Sequence, residues 1–286
     1  MSIMNKILRK LLPPFIAALV GLLIGYASFA GWHSYTKVTP QVDSSTLTPS
    51  ASPDTSPTPS ASASPITKST DASHVLMYHY IQSGVNQKTD PVGYGLSVPP
   101  NELDAQIAAM KAAGYTSITM ADYVAGKGDA KSVVMTFDDG YEDFKTTAYP
   151  ILKKYNWTAT IYIITGMIGG NYMTWDDLKE MKAAGIEIGA HTINHIDLST
   201  ASEATQRKEI TQSKQDLESH LGGTVTSFCY PSGKYTTVTE ALVKQAGFTS
   251  ATTTHPGDVH HSDDMYALNR LRINPGFTAT QLLKDL

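Results

Sequence analysis

The amino-acid sequence predicts an α/β protein: a distorted (β/α) barrel of about seven strand–helix units, preceded by an N-terminal membrane segment and a disordered stalk. Three observations predict this organisation. An apolar run lies near the N-terminus, a run rich in Ser, Thr, Pro and Ala follows it, and short β-rich runs then alternate with helical patterns. Such alternation predicts a parallel sheet with helices outside it. A doubly wound open sheet is the alternative arrangement.

Residues 1–36 are predicted to be a membrane segment. Basic residues come first, and an apolar stretch over residues 11–32 follows, which is long enough for a span of roughly 20 residues. The basic flank is expected to stay on the cytoplasmic side. We expect an uncleaved anchor; the alternative is a signal peptide cleaved after Ser28-Phe29-Ala30. Both interpretations predict a protein outside the cytoplasm, either anchored to the cell membrane or secreted.

Residues 37–73 are predicted to be a disordered linker. Ser, Thr, Pro and Ala dominate the segment, and such a composition buries too little apolar surface to offset the entropy of ordering. Proline keeps the chain extended, at ~3.1 Å per residue where it is polyproline-like. A spacer of this kind reaches on the order of 100 Å when stretched, so it would hold a domain away from a membrane.

Net charge and cysteine content narrow the classes of function. The formal net charge is −4, whereas nucleic-acid binding favours a basic face, so no nucleic-acid partner is expected. Cys229 is the only cysteine, which excludes an internal disulfide and a multi-cysteine zinc site. The sequence gives no basis for inferring a protein partner.

Residues 74–286 are predicted to form one globular domain, because about 210 residues suffice for one sizeable core. Apolar runs rich in β-branched residues predict strands at 74–78, 132–137, 158–164, 186–190, 225–230, 249–253 and 267–273. Helical periodicity predicts helices at 101–113, 144–155, 174–184, 202–221, 238–246 and 281–286. Most of these helices stop at a glycine, and Thr174 is a plausible N-cap.

Polar and ionisable residues follow the predicted strands directly. Ligands of parallel α/β folds meet the carboxyl ends of the strands, so we expect these side chains to converge at one end of the barrel. They are His79, Asp138, Asp139, His191, His195, Tyr230, Pro231 and Ser232, together with Arg270 inside the last predicted strand.

The pair His191 and His195 indicates a metal site. A spacing of four would put both imidazoles on one face of a helical turn. Two imidazoles and a carboxylate complete a catalytic metal site with an open position. This ligand set suits zinc, with cobalt, nickel and manganese as alternatives. Two surface histidines are the alternative interpretation, but the position after a buried strand favours a site.

The adjacent Asp138 and Asp139 favour catalysis beside such a pair. Neighbouring residues at a strand end point in different directions, so one carboxylate can bind a metal while the other faces a reacting water. Two like charges this close need a cation or a donor to offset them. An exposed Asp-Asp-Gly turn is the alternative.

Here a family resemblance becomes specific. The runs TFDDG (136–140) and HTINH (191–195), in that order, resemble the signature of the polysaccharide deacetylase family, also called the NodB-homology or carbohydrate esterase family 4 domain. The runs VLMYHYI, AYPILKKYNWTATIYIITGMIGG and TWDDLKEMKAAGIEIGAHT are similar to that family as well, so the resemblance extends from about residue 75 to the C-terminus. It implies a NodB-like barrel that hydrolyses N-acetyl groups of amino sugars. It also implies that Asp139, His191 and His195 hold a divalent metal and that Asp138 is the general base.

The sequence departs from the family at the segment that follows the fifth predicted strand. Many members have an Arg-Pro-Pro-Tyr-Gly type run, where this chain has Cys229-Tyr230-Pro231-Ser232-Gly233. By motif position, this segment contacts the substrate and the Ser232 N–H is the oxyanion donor. Arg270, in LNRLRI, resembles the exopolysaccharide branch and would orient the base in place of the missing arginine. A structural ion pair is the alternative for Arg270, and Cys229 is expected to be a small buried strand residue.

The family's late Leu-x-His general acid is also absent near the C-terminus. The resemblance to poly-N-acetylglucosamine deacetylases implies that His79 takes this role, with a histidine that caps the barrel mouth as the alternative. His260 and His261 are rivals on a loop. Tyr172 and Trp175 are candidates for a platform under the sugar, or for core positions.

The sequence therefore predicts a metal-dependent hydrolase that removes N-acetyl groups from a polysaccharide containing N-acetylglucosamine, either peptidoglycan or poly-N-acetylglucosamine, at the cell envelope. One alternative is a catalytically inactive carbohydrate-binding protein of the same fold, against which the complete set Asp138, Asp139, His191 and His195 argues. The other is a metal-dependent amidase acting on a non-sugar substrate, which fold alone does not exclude.

Overall fold

The computed structural model describes residues 74–259 and 263–286 of the chain. The predicted membrane segment, the predicted linker, and His260 and His261 lie outside the described residues. No helix in the described part of the chain is both long and apolar enough to cross a bilayer.

Strands and helices alternate along the described chain. The strands are β1 (His74–Tyr78), β2 (Thr116–Ile118), β3 (Ser132–Phe137), β4 (Thr160–Ile163), β5 (Glu187–Ala190), β6 (Ser227–Cys229), β7 (Ser250–Thr252) and β8 (Leu271–Arg272). The helices are α1 (Pro91–Leu96), α2 (Pro100–Ala112), α3 (Met120–Val124), α4 (Tyr149–Tyr155), α5 (Trp175–Ala183), α6 (Glu203–Leu221), α7 (Thr237–Gln245) and α8 (Ala279–Asp285). A π-helical turn at Phe144–Ala148 leads into α4, and a 3-10 turn at Pro231–Gly233 follows β6.

All paired strands are parallel, in the order β7-β6-β5-β4-β3-β1-β8. Strands β2 and β4 share one edge of β3: β2 pairs with the first half of β3, and β4 pairs with the last two residues of β3. Leu268 bridges Thr252 of β7 in parallel, and the chain then enters β8, which pairs with β1. The order follows the chain from β3 to β7 without the mid-sheet reversal of a doubly wound fold. The predicted α/β fold class is confirmed as a half-barrel of parallel strands with helices.

Burial explains why these segments are strands. Every residue of β1 and of β3 is buried, as expected for parallel strands covered on both faces. Side-chain caps explain where helices α5 and α6 begin. Thr174 caps α5 with a reciprocal capping box, as predicted, and Ser202 caps α6. The ends of the strands, and therefore the positions of the residues that follow them, are set by this packing.

The structure corrects several predicted elements. The short elements α1, β2 and α3 were not predicted, because three to six residues carry too little periodicity to detect. The predicted helix at 144–155 begins as a π-helical turn. The predicted strand at 267–273 shortens to Leu271–Arg272, because the preceding part of that segment bonds to the chain around β7 instead of β1. Arg270 therefore lies immediately before β8 and not inside a strand.

Candidate active site

An open cleft lies at the carboxyl ends of the strands, where the sequence predicted a site. Its volume is about 400 Å³. Ten residues of the cleft wall carry polar or charged groups: His79, Asp138, Asp139, Tyr141, Tyr172, His191, His195, Ser232, Thr254 and Arg272. Six of the nine predicted site residues therefore line one cavity, and a seventh, Arg270, contacts it through Asp138.

Asp139, His191 and His195 converge on one point. Oδ1 of Asp139 is 3.5 Å from Nε2 of His191 and 3.6 Å from Nε2 of His195. This Oδ1 is buried and accepts no hydrogen bond from any described residue. A buried carboxylate oxygen without a donor is rare in folded proteins. Here it faces two imidazole nitrogens, and a divalent cation would satisfy all three atoms.

The environment of His191 selects this ligand set over a second one. Nδ1 of His191 donates to the carbonyl oxygen of Cys229 at 2.7 Å, which fixes the tautomer and leaves Nε2 facing Asp139. Asp138, His191 and Cys229 also lie close enough to share an ion. Both oxygens of Asp138 are already bound by a guanidinium, however, so the Asp139 set fits a metal better.

The two histidines do not lie on a helical turn, contrary to the expectation from their spacing. His191 directly follows β5, and the chain then runs through an irregular segment. Thr192 has a φ of 66° and His195 a φ of 53°, both in the left-handed region that residues other than glycine seldom adopt. Oγ1 of Thr192 accepts from the N–H of His195 at 3.0 Å. The imidazoles meet because of this left-handed loop.

Asp138 is bound by Arg270 through two parallel hydrogen bonds. Nη1 donates to Oδ1 and Nη2 to Oδ2, each at 2.7 Å. Arg270 is fully buried, and its Nε donates to the carbonyl oxygen of Thr253 at 2.8 Å. Burial by itself would raise the pKa of Asp138, but the charge and hydrogen bonds of Arg270 outweigh it and hold that pKa well below its usual range. Asp138 is therefore ionised throughout the physiological range of pH.

Cys229 occupies β6 beside this pair. It is fully buried, as expected for a strand residue, and its sulfur lies 3.6 Å from Oδ2 of Asp138 and 3.2 Å from Nη2 of Arg270. The guanidinium thus reaches Asp138 from the residue just before β8, past Cys229, which occupies the position where the family's arginine would stand in the sequence.

His79 follows β1 and lies on the cleft wall. Its Nε2 is 3.7 Å from Oδ2 of Asp138. Burial lowers the pKa of His79, although the charges of Asp138 and Asp139 act in the opposite direction. The imidazole is within reach of a group bound in the cleft, on the same side as Asp138.

The segment after β6 contributes one residue to the cleft, not three. Ser232 lines the cleft, and its φ of 53° lies in the left-handed region. Tyr230 and Pro231 are buried and do not line it. The hydroxyl of Tyr230 donates to the carbonyl oxygen of Tyr266 at 3.0 Å, and its ring stacks on Tyr235, which explains its burial.

The two aromatic candidates, Tyr172 and Trp175, lie in different places. Tyr172 lines the cleft, and its ring stacks on Tyr141 with centroids 4.9 Å apart. Trp175 does not line it. The indole instead lies flat on the ring of His220 of α6, with centroids 3.9 Å apart. This position favours the alternative of a core residue, because Trp175 packs against the hydrophobic core and one face of its indole is covered by His220.

Three features of the site were not predicted. Arg272 lines the cleft, and Tyr141 stacks between Tyr172 and Tyr80 on its wall. Glu209 of α6 accepts hydrogen bonds from the loop that links the two histidines. The sequence gives no signal for Glu209, because a glutamate on a helix is typical of a solvated face. Arg272 was detectable from its spacing of two from Arg270, which puts both residues on the same face of an extended chain.

Comparison with known proteins identifies relatives of this arrangement. The family model for polysaccharide deacetylases matches residues 125–251. The Bacillus subtilis (strain 168) protein YxkH, which is named for the polysaccharide deacetylases, is 34% identical over 212 aligned residues. The match covers 72% of this chain and 73% of that protein. The structure of the Streptococcus pyogenes deacetylase PplD in complex with acetate aligns with a TM-score of 0.70 and 33% identity, over 75% of this chain and 97% of PplD.

A third relative has a more specific name. The poly-beta-1,6-N-acetyl-D-glucosamine N-deacetylase of Staphylococcus aureus (strain MSSA476) is 31% identical over 170 residues. The match covers 53% of this chain and 59% of the staphylococcal protein, so the chain spans little more than half the length of that relative.

Proposed function

The chain belongs to the polysaccharide deacetylase family, and we propose that it removes N-acetyl groups from an N-acetylglucosamine-containing polysaccharide at the cell envelope, with the help of a divalent metal. Membership makes it a polysaccharide N-deacetylase, a hydrolase of linear amides. Metal dependence, the polymer and the location are the parts that we propose.

The observation that carries the metal proposal is the orphaned Oδ1 of Asp139. It is buried between Nε2 of His191 and Nε2 of His195, and no described residue donates to it. Two imidazoles and one carboxylate leave a coordination position open, as catalytic sites do. Zinc suits this ligand set, with cobalt, nickel or manganese as alternatives. A bound divalent ion would supply an acidified water and polarise the acetyl carbonyl.

Asp138 is proposed as the general base. Arg270 holds its carboxylate ionised and fixed in orientation through two hydrogen bonds. A base must lie within hydrogen-bond reach of the proton that it takes, and Asp138 lines the cleft next to Asp139. It would accept one proton as the water oxygen adds to the acetyl carbon.

The remaining steps involve His79 and Ser232. The backbone N–H of Ser232 is proposed to donate to the oxygen that gains negative charge. When the carbon–nitrogen bond breaks, the leaving amine needs a proton, and His79 is proposed to supply it from the cleft wall. The products are acetate and the ammonium group of the sugar, which together contain all the atoms and protons of the amide and the water.

The substrate proposal rests on the relatives. One is named for poly-beta-1,6-N-acetyl-D-glucosamine, which supports a polymer of N-acetylglucosamine, and peptidoglycan contains the same sugar. The N-terminal apolar run and the linker support a place outside the cytoplasm, tethered to the cell membrane. Cell fractionation checks this location: the full chain should be found with membranes if it is anchored, or in the medium if it is cleaved. Cytoplasmic protein would contradict it.

Acetate release from poly-N-acetylglucosamine and from peptidoglycan tests the function. We expect activity that a chelator removes and a divalent metal restores. Asp138→Asn should abolish turnover while the metal content stays unchanged. Asp176→Asn, which changes an exposed carboxylate on α5, is the matched control and should behave as the unmodified chain does. Chelator-insensitive activity would contradict the metal, and full activity of Asp138→Asn would contradict the assigned base.

A further inference from the structure

The loop that joins the two candidate metal ligands has an unfavourable backbone. Thr192 and His195, at either end of the segment 192–195, have φ values of 66° and 53°. Residues other than glycine rarely adopt this conformation, and it persists only where the surroundings enforce it. The position of the His195 imidazole therefore depends on contacts that hold the loop from outside.

One side of the loop is held by the chain that follows β4. The N–H of Thr165 donates to the carbonyl oxygen of Thr192 at 3.1 Å, and the N–H of Gly166 donates to that of Ile193 at 2.8 Å. A Cβ built on Gly166 would lie 2.5 Å from this second oxygen, so the two segments are in direct backbone contact. These bonds satisfy the carbonyl groups of Thr192 and Ile193 and leave the N–H groups of the loop to be satisfied elsewhere.

Glu209 holds the other side. Its Oε2 accepts from the N–H groups of Ile193 and Asn194, both at 2.9 Å. Its Oε1 accepts from Nδ2 of Asn194 at 2.7 Å. The residue is only 5% exposed, and no lysine, arginine or histidine within the described ranges pairs with it. All the hydrogen bonds that stabilise this buried carboxylate come from the loop.

We propose that Glu209 is a positioning residue that holds the loop 192–195 in its left-handed conformation and so places His195 for metal binding. The inference rests on the metal site of the proposed function. His191 is anchored separately, through the carbonyl oxygen of Cys229. Loss of Glu209 should therefore displace His195 alone and weaken metal binding without eliminating it, because Asp139 and His191 remain in place.

Glu209→Gln is the direct test, because it keeps the size of the side chain. A glutamine turns one acceptor oxygen into a donor that would face the N–H groups of the loop or the amide of Asn194. Zinc affinity of the full chain is measured by competition with a chelating indicator, independently of turnover. We expect the dissociation constant for zinc to rise 10- to 100-fold, which is the usual effect of removing a residue that supports a metal ligand. At saturating zinc, KM should be unchanged and kcat largely recovered.

Glu218→Gln is the matched control. Glu218 is also on α6, and its Oε1 accepts from the backbone N–H of Val225 at 2.9 Å, but it does not contact the loop 192–195. We expect this variant to lower the melting temperature without changing zinc affinity. An equal loss of affinity in Glu209→Gln and Glu218→Gln would overturn the inference, because it would show that stability of the helix is the cause.

Asn194→Ala provides a milder variant. It removes only the contact with Oε1 and should raise the dissociation constant a few-fold, on the order of one lost hydrogen bond. If Glu209→Gln does not fold, unchanged affinity in Asn194→Ala overturns the inference. In the His195→Ala background, Glu209→Gln should cause no further loss, whereas an additive loss would show that Glu209 acts elsewhere. Failure of the proposed function is separate, since the unmodified chain would then bind no zinc.

Discussion

Arg270 and Asp138 form a fully buried bidentate ion pair, with Nη1–Oδ1 and Nη2–Oδ2 distances of 2.7 Å, although 132 positions separate them in the sequence. Removing one partner of such a pair is costly, because the other charge is left buried without compensation. Nη1 of Arg270 also donates to Oγ1 of Thr136 at 2.9 Å, which further fixes the guanidinium. The pair supplies a carboxylate that is both ionised and fixed in orientation.

Arg270→Gln should shift the pH dependence of the reaction. Without the guanidinium, burial raises the pKa of Asp138, so its carboxylate becomes protonated at a higher pH. A base acts only when it is deprotonated, so the acid limb of the kcat/KM profile should move to higher pH. We also expect kcat/KM to fall on the order of 10²-fold, the lower end of what a positioned proton-transfer group contributes. Steady-state kinetics from pH 4 to 9 would measure both effects.

A relocation variant is the control for this shift. Cys229→Arg in the Arg270→Gln background returns a guanidinium to the position from which the family's arginine acts, where Sγ is 3.6 Å from Oδ2 of Asp138. It should return the acid limb towards lower pH. If the kcat/KM profile against pH is the same in the unmodified chain and in Arg270→Gln, Arg270 serves only as a structural ion-pair partner.

His79→Gln should separate catalysis from metal binding. The imidazole lines the cleft, but His79 is not one of the three residues of the candidate metal site, Asp139, His191 and His195. Loss of a general acid should reduce kcat on the order of 10²-fold or more, with the metal content unchanged. Kinetics and metal analysis on the same preparation would show this. Parallel loss of metal and of activity would indicate that His79 supports the site structurally.

Tyr172→Ala and Trp175→Ala should have opposite effects. Tyr172 lines the cleft, so its loss should raise KM for the polymer, on the order of tenfold for one lost aromatic contact. Trp175 stacks on His220, so its loss should lower the melting temperature and leave KM unchanged. Substrate titration and thermal unfolding distinguish the two. An increase in KM for Trp175→Ala would show that its face is available to the sugar.

Asp143→Asn should change how stability depends on pH. Oδ2 of Asp143 accepts from the N–H of Ile81 at 2.8 Å, while its buried Oδ1 has no partner in the described chain. Burial raises the pKa of Asp143 from 3.8 to about 6. The folded state therefore holds this proton more tightly than the unfolded state does, and stability is lost as pH rises between these values.

The asparagine variant does not titrate, so the comparison isolates this group. We expect the free energy of unfolding of the unmodified chain to fall by about 2 kcal/mol relative to Asp143→Asn between pH 4 and pH 7, allowing for partial exposure. Urea unfolding at several pH values measures the difference. A difference that is constant with pH would show that Asp143 titrates normally.

Much of the fold was predictable from sequence because its signals are local. The fully buried strands β1 and β3 have the predicted bounds, and Thr174 caps α5 as predicted. The order of the chain also puts His79, Asp138 and His191 directly after strands, and parallel packing brings strand ends together. These properties follow from the composition of each segment and from the chain's covalent order.

Only the tertiary structure decided the contacts between these segments. In the folded chain, His191 and His195 are joined by a left-handed loop that Glu209 holds. Tyr172 lines the cleft, whereas Trp175 stacks on His220. The tertiary structure also determined that a guanidinium preceding β8 reaches Asp138 past Cys229. The physical reason is the same in each case: these distances depend on how elements far apart in the sequence pack, and a sequence pattern records which side chains are present but not which of them touch.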